Sequence, residues 1–366
     1  MIINNHIVSI SLFTLIKTEF VFPQQSQDFA IQSASSLVKN KKIEFILYLF
    51  SQLFYRKIQL IKIFSKRCKM KILMTGGTGF IGKKLCHVLL DKNHHLTVLS
   101  RTPEKVSSVC GESVESIKNI EQLTASDSFD AIINLAGEGV ADARWSETRK
   151  QKLLDSRVNT TKQLVAYIEK AHQKPKVLIS GSAIGYYGNR SSIILTEESL
   201  PHEEFSHHLC ALWESAALEA QKLGVRTCII RTALVIGEDG GFLKRMLPLF
   251  KLGLGGPIGN GQQWMSWIHR TDLIAIIEML LESNSLHGIF NASSPEPVTN
   301  KEFSITLAHV LNRPAVVSVP ALVLKILLGE MSTLLLGGQR VIPERLEQAG
   351  FEFQFKSLKQ ALKDVI

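Results

Sequence analysis

Residues 75–82 read TGGTGFIG, from Thr75 to Gly82, and the fold turns on what they are for. Before them stands KILM (71–74), a short apolar run that predicts a buried strand. After them GKKLCHVLLDKN carries apolar residues at helical spacing. The stretch is therefore a turn between a strand and a helix. Gly76, Gly79 and Gly82 form a GxxGxxG pattern, a variant of the glycine fingerprint whose backbone turns tightly and approaches a pyrophosphate. The helix that follows brings unpaired N–H groups and the positive end of its dipole to the same place.

The alternation continues outward. HLTVLSR (95–101) and FDAIINLAG (129–137) read as strands, SETRKQKLLDSRVNTTKQLVAYIEKA as a long helix and PKVLISGS as a strand. LCALWESAALEAQKLG reads as a helix stopped at Gly224, and VRTCIIRTALVIG as one further strand. Strands and helices alternating at this spacing form βαβ units, and so a parallel sheet with helices on both faces. The expected fold is α/β: a Rossmann-type doubly wound parallel sheet with a smaller C-terminal α/β lobe. Residues 70–240 are assigned to the nucleotide-binding domain, with 285–295 returning to its sheet. Residues 241–366, which include the glycine-rich GLGGPIGNGQQW, are assigned to a substrate-side loop and a small C-terminal domain. Ligands bind outside the carboxyl ends of such strands, so the cleft between the lobes is the expected site.

Charge narrows the partners. The net charge is +9, yet residues 1–69 hold ten Lys and Arg against three Asp and Glu, and the rest of the chain holds 32 against 30. The nearly neutral body has no electrostatic footprint for a polyanion, so no nucleic-acid partner is expected. A membrane partner is not expected either, and a homodimer is compatible with the sequence. The five cysteines are widely spread and form no CxxC, which predicts neither a disulfide framework nor a metal site and places the chain in a reducing, cytoplasmic setting. Residues 1–69 carry no signal peptide, and their uncharged run 45–55 is too short to span a bilayer. They are expected to be an extension ahead of the fold, non-native or disordered or helical, with Met70 the natural start. A basic amphipathic helix over 43–64 lying on a membrane surface is one alternative, and a targeting or partner segment another.

The second strand ends in Ser100 and Arg101, where a nucleotide's adenosine ribose is read. An acid there would bind the 2′-hydroxyl; Arg101 instead offers a planar fork to a 2′-phosphate, which favours NADP(H) over NAD(H). The strand ending NLAG (134–137) finishes in small residues that let a cofactor lie across the sheet.

Together with NLAGEGVADARW, SGSAIGYYG, LGLGGPIGNGQQWMSWIHRTD and GGQRVIPERLEQAGF, these pieces resemble the atypical, epimerase-like branch of the short-chain dehydrogenase/reductase superfamily that ends in a small domain of unknown function. The resemblance covers residues 70–366. It implies an NADP(H)-bound Rossmann domain. It places Gly76, Thr78, Gly79, Phe80 and Ile81 on the phosphates, Ser100 and Arg101 at the 2′-phosphate, and Leu135, Ala136 and Gly137 beside the adenosine. Lys152 and Arg157 would face the cofactor, and Val235 would stand near the nicotinamide. The superfamily's catalytic serine is present as Ser182, but its Tyr-x-x-x-Lys pair is not: Ser206 and Cys210 occupy those places. A serine is a poor proton carrier near neutral pH. Two replacements are open: Tyr186 or Tyr187, tuned by Arg190 or His269, or else His207 or His208 as a base. The sequence thus supports an NADP(H)-dependent epimerase-like or reductase-like enzyme for a small polar substrate, with a nucleotide sugar as one class. The alternative is a non-catalytic NADP(H)-binding sensor or partner-binding module.

Overall fold

The central strands of the sheet are largely apolar runs because they are buried on both faces, while the short edge strand ESI (115–117) is exposed. The computed structural model describes residues 69–366, which form a compact unit separate from residues 1–68; the expectations placed on 1–68 lie outside the described residues. Seven parallel strands build the main sheet: β1 (Lys71–Thr75), β2 (His95–Leu99), β3 (Glu115–Ile117), β4 (Ala131–Asn134), β5 (Val177–Ala183), β7 (Arg226–Thr232) and β11 (Gly288–Ala292), in the order β11-β7-β5-β4-β1-β2-β3; the short β6 (Ile194–Leu195) and β9 (Trp264–Met265) pair outside it. The order reverses between β1 and β4, which opens a crevice at their carboxyl ends.

Successive side chains of a strand point to opposite faces, and the core divides accordingly. Ile72, Met74, Ile133, Ile179 and Ile230 face one way, against Leu85 and Leu89 of α1 (Phe80–Asp91) and Leu273, Ile276 and Leu280 of the helix Arg270–Glu282. Leu73, Ile132, Leu178 and Ile229 face the other way, against Leu164 and Ile168 of α2 (Glu147–Lys170) and Ala217 and Ala220 of α3 (Phe205–Lys222). Ser146 caps α2 by accepting from Arg149 N at 3.1 Å. The cap fixes where this long helix starts beside the NLAG turn.

The stretch VRTCIIRTALVIG is not one strand. β7 ends at Thr232 and β8 (Leu234–Ile236) begins after Ala233. Ala233 N still donates to Ala292 O in the sheet, but Leu234 N donates to Ser266 O outside it. Past the sheet edge the backbone needs a new partner, and β8 finds it in β10 (Trp267–His269). The chain thereby crosses into the C-terminal lobe, where α4 (Gly241–Lys251), α6 (Asn300–Val310), α7 (Ala321–Leu328) and α8 (Leu358–Val365) follow, while α5 (Arg270–Glu282) returns to cover the main sheet. Trp267, Leu243, Phe250, Phe303, Leu307 and Leu362 form this lobe's own core. Met331 and Leu328 pack on Trp145, Leu153 and Leu209, where the lobe meets α2 and α3.

Candidate functional site

At the crevice, Gly76 has φ +71°, and a Cβ there would sit 2.5 Å from Leu135 O. Gly82 is packed so closely on the Gly76 carbonyl that no Cβ fits. Both glycines are required by the protein itself. Gly79 is different. Its φ of −78° suits any residue, and a Cβ would meet only Gly76 O at 3.1 Å. That contact is tight, but no other atom stands within 4 Å, and Gly79 lies exposed at the N-terminus of α1, which has no side-chain cap. Unpaired helix N–H groups facing open space make an anion cradle. Thr78 and Gly79 are exposed, and Ile81 is half-buried. Phe80 turns its ring away, packing under Gly237 and Gly240 with the Arg270 guanidinium 4.8 Å from its centroid. Its side chain ties the loop to the second lobe.

The neighbouring strand ends are fixed by a buried polar chain. Thr75 Oγ1 donates to Asn134 Oδ1 at 2.7 Å and accepts from Ala136 N at 3.1 Å. Asn134 Nδ2 donates to Thr161 Oγ1 at 2.8 Å. These bonds set the course of Leu135, Ala136 and Gly137 across the crevice. Ser100 Oγ accepts from Thr102 N at 3.2 Å and shapes the turn that carries Arg101 out into solvent, 86% exposed.

Arg101 meets a residue that sequence reasoning passed over. Glu138 receives Arg101 Nη1 at 3.2 Å, Arg149 Nη1 at 3.3 Å and Lys152 Nζ at 3.6 Å. Arg157 lies against Gly137 and donates to Glu138 O at 2.9 Å, with its guanidinium 5.3 Å from the Trp213 ring. Partial burial opposes ionisation of Glu138, but the Arg149 hydrogen bond and the charges of Lys152 and Arg101 outweigh it and hold its carboxyl below the usual range. Three cations on one carboxylate, with Arg157 on the same residue's carbonyl, leave the mouth of the crevice positive. Arg101, Lys152 and Arg157 therefore converge, and Arg149 and Glu138 join them. Val235 stands apart on β8, with its carbonyl against Gly241.

The second cluster lies where β5 ends. Ser182 Oγ donates to Glu214 Oε1 at 2.6 Å. Its proton is therefore committed to a carboxylate, and toward a ligand Ser182 is an acceptor. Glu214 in turn is held by Arg231 through two 2.9 Å bonds, a bidentate pair with side chains 5% and 1% exposed. Arg231 Nη1 donates to Tyr187 Oη at 3.0 Å, Tyr187 Oη donates to Asn291 Oδ1 at 2.7 Å, and Asn291 N donates to Glu197 Oε1 at 2.9 Å. Burial pushes the Tyr187 phenol up to about 12, and Arg231 only partly offsets it. Tyr187 is a structural link. The sequence signal for this network was Arg231 itself: a charge in the middle of the buried run CIIRTA must have a partner.

Tyr186 is the free phenol of the cluster. It is half-buried, and the Arg231 guanidinium lies 3.4 Å from its ring centroid. His207 stands beside it, ring centroids 5.0 Å apart, with Nδ1 2.7 Å from Tyr186 O. A carbonyl only accepts, so Nδ1 carries the proton and Nε2 is left available. Ser206 is bonded to Glu204, and His208 is exposed. Burial pushes the Cys210 thiol up to about 11, the nearby Glu214 adding to it, so the sulfur stays protonated. Arg190 donates to Pro201 O. His269 belongs to the other lobe, where it caps α5 and stacks on Phe355. Among the described residues no group of three or more His, Cys, Asp or Glu could hold a metal ion, and no helix is long and apolar enough to cross a membrane.

This sheet order, with a glycine turn after β1 and a reversal point beside it, defines a Rossmann-type α/β protein. The chain belongs to the NAD dependent epimerase/dehydratase family, whose model matches residues 72–293, and a domain of unknown function, DUF1731, matches residues 319–365. It is 37% identical over 317 residues to the chloroplastic homolog of epimerase family protein SDR39U1 from Arabidopsis thaliana, covering 85% of this chain and 91% of that one. It is also 37% identical over 302 residues to epimerase family protein YfhF of Bacillus subtilis, covering 81% and 98%. The crystal structure of human epimerase family protein SDR39U1 (isoform 2) with NADPH superposes with a TM-score of 0.73 at 37% identity, covering 81% of this chain and 99% of that one.

Proposed function

We propose that this protein binds NADP(H) across the carboxyl ends of β1, β2 and β4. We propose further that it carries out epimerase-like or reductase-like chemistry on a small polar substrate, with nucleotide sugars the first class to test. One observation carries the reading: the exposed, uncapped start of α1 at Thr78 and Gly79, next to a cluster of cations, fits a dinucleotide whose ribose bears a 2′-phosphate. The human relative solved with NADPH supports it.

The residues present fit that group. The N–H groups at the start of α1 would hold the pyrophosphate, and Arg101, with Lys152 and Arg149 behind it, would hold the 2′-phosphate. When bound, the nicotinamide gives or takes a hydride. The chain's own part is to move a proton and hold the substrate. Tyr186 has an uncommitted phenol whose ring is fixed against the Arg231 guanidinium, so its oxygen is held in place to meet a substrate. Ser182, its proton on Glu214, accepts a hydrogen bond from a substrate hydroxyl. His207 Nε2 offers a second acceptor beside Tyr186. The buried, free cysteines Cys86, Cys110, Cys210 and Cys228 fit a reducing, cytoplasmic setting.

The second reading, an NADP(H) sensor without turnover, is favoured by Ser206 and Cys210: one bonded to Glu204, the other a buried thiol, neither able to serve as the missing pair. Fluorescence titration tests the binding. NADPH should bind about tenfold or more tighter than NADH, and Arg101→Asp should remove the difference, because a charge-assisted phosphate bond contributes about 1.5–3 kcal/mol. Equal affinities in the wild type refute the reading. Stereospecific hydride exchange with a panel of nucleotide sugars and carbonyl compounds separates enzyme from sensor.

A further inference from the structure

α7 carries the sequence ALVLKILL and buries none of its residues. Leu322 is 67%, Ile326 66% and Leu327 64% exposed. Apart from Lys325 every residue of the helix is apolar, and with Leu328 turned to the seam the exposed side chains are left to water, which solvates them poorly. The exposure is not scattered. Residues 251–259 and 313–321 run side by side: Arg313 Nε donates to Lys251 O at 2.9 Å, Gly259 N donates to Val319 O at 2.8 Å, and Val319 N donates to Pro257 O at 3.1 Å. The pairing is parallel and runs into α7, with exposed Leu252, Leu254, Val316 and Val317 along it. Apolar side chains exposed along these segments and on the helix they lead to mark an interaction surface.

Its charges identify the occupant. Residues 240–271 and 303–329 contain no Asp or Glu. Lys251, Arg313 and Lys325 are exposed along these segments, and the nearest acid at the end of α7, Glu330, is engaged by Lys150 at 2.6 Å. In a two-fold dimer through this face, like would meet like, basic rim against basic rim with no acid to answer it. A bilayer leaflet rich in anionic lipid answers both features, taking the apolar side chains into the acyl boundary and the lysines at the headgroups. We infer that the apolar face built on α7 docks the C-terminal lobe onto an anionic membrane surface.

The test is co-sedimentation of full-length protein with phosphatidylserine–phosphatidylcholine vesicles and with pure phosphatidylcholine vesicles. The wild type should bind the anionic vesicles, and less so as salt rises. The combined Leu322→Gln, Ile326→Gln and Leu327→Gln variant should bind at least about tenfold more weakly. Lys251→Gln with Lys325→Gln should lose about fivefold per residue on anionic vesicles and nothing on neutral ones. All these chains keep residues 1–68, so the loss in the variants relative to the wild type, not wild-type binding itself, reports on α7. Wild-type-level sedimentation of both variants would overturn the inference. So would a wild type that ignores anionic vesicles, or one that ignores them and forms a dimer which the apolar variant converts to monomer. If the apolar variant does not fold, the lysine variant decides alone.

Discussion

At Gly76 and Gly79, two residues of one turn, glycine serves different masters. Gly76 has a left-handed φ and no room for a Cβ beside Leu135 O, so Gly76→Ala should cost about 1–3 kcal/mol or more of stability, seen as a lower melting temperature. Gly79 has an ordinary φ, and a Cβ there would press only on Gly76 O at 3.1 Å, so Gly79→Val should keep its circular dichroism and lose far less stability than Gly76→Ala, yet lose NADPH binding. Retained binding in that variant would show the turn to be structural only. Arg231 and Glu214 make the same point about charge. Glu214→Gln would leave a fully buried guanidinium without its counter-charge, and chemical denaturation should report a loss of about 3–5 kcal/mol. A loss below about 1 kcal/mol would mean that water reaches the pair.

Among the elements, the caps of the C-terminal lobe are separable from the nucleotide site. α6 opens with a full capping box: Thr299 accepts from Glu302 N at 3.2 Å, and Glu302 accepts from Thr299 N at 2.7 Å. Thr299→Ala should lower stability by about 1 kcal/mol in urea unfolding, with NADPH affinity unchanged. α5 is capped by His269, whose Nδ1 accepts from Thr271 N at 3.2 Å. Burial holds this imidazole's pKa below its ordinary 6.5, Asp364 opposing the shift and Arg270 adding to it. The unfolded chain therefore takes up the proton first as pH falls, which favours unfolding. Stability should decline from about pH 6.5 downward until the folded imidazole also protonates. His269→Asn, which keeps a capping acceptor, should flatten that part of the profile in thermal melts recorded across pH. An unchanged slope would place the acid sensitivity elsewhere.

For the whole molecule, residues 69–366 contain both faces of the sheet, the second lobe's core and the seam between them at Trp145 and Met331. A chain starting at Met70 should express, melt within a few degrees of the full protein and bind NADPH equally. Loss of folding or binding would show that the first 69 residues contribute to the nucleotide domain.

Local pattern was enough for much of this protein. The period of apolar residues, the glycine spacing in TGGTGFIG and the charge at Arg101 are properties of short segments, and strand, turn and helix respond to short segments. The parallel sheet and the place of the nucleotide crevice follow from them. What needed the tertiary structure is what depends on distant residues meeting. Glu138 looks like one acid in a loop until α2 and the end of β2 bring Arg149, Lys152 and Arg101 to it. Ser182 looks like a hydrogen-bond donor until α3 sets Glu214 against it, and Tyr186 looks like one of two equal tyrosines until Arg231 lies under its ring while Tyr187 is bonded away in the core. The split of VRTCIIRTALVIG and the exposure of ALVLKILL belong with these, because sequence records that a segment is apolar and only packing decides what, if anything, covers it.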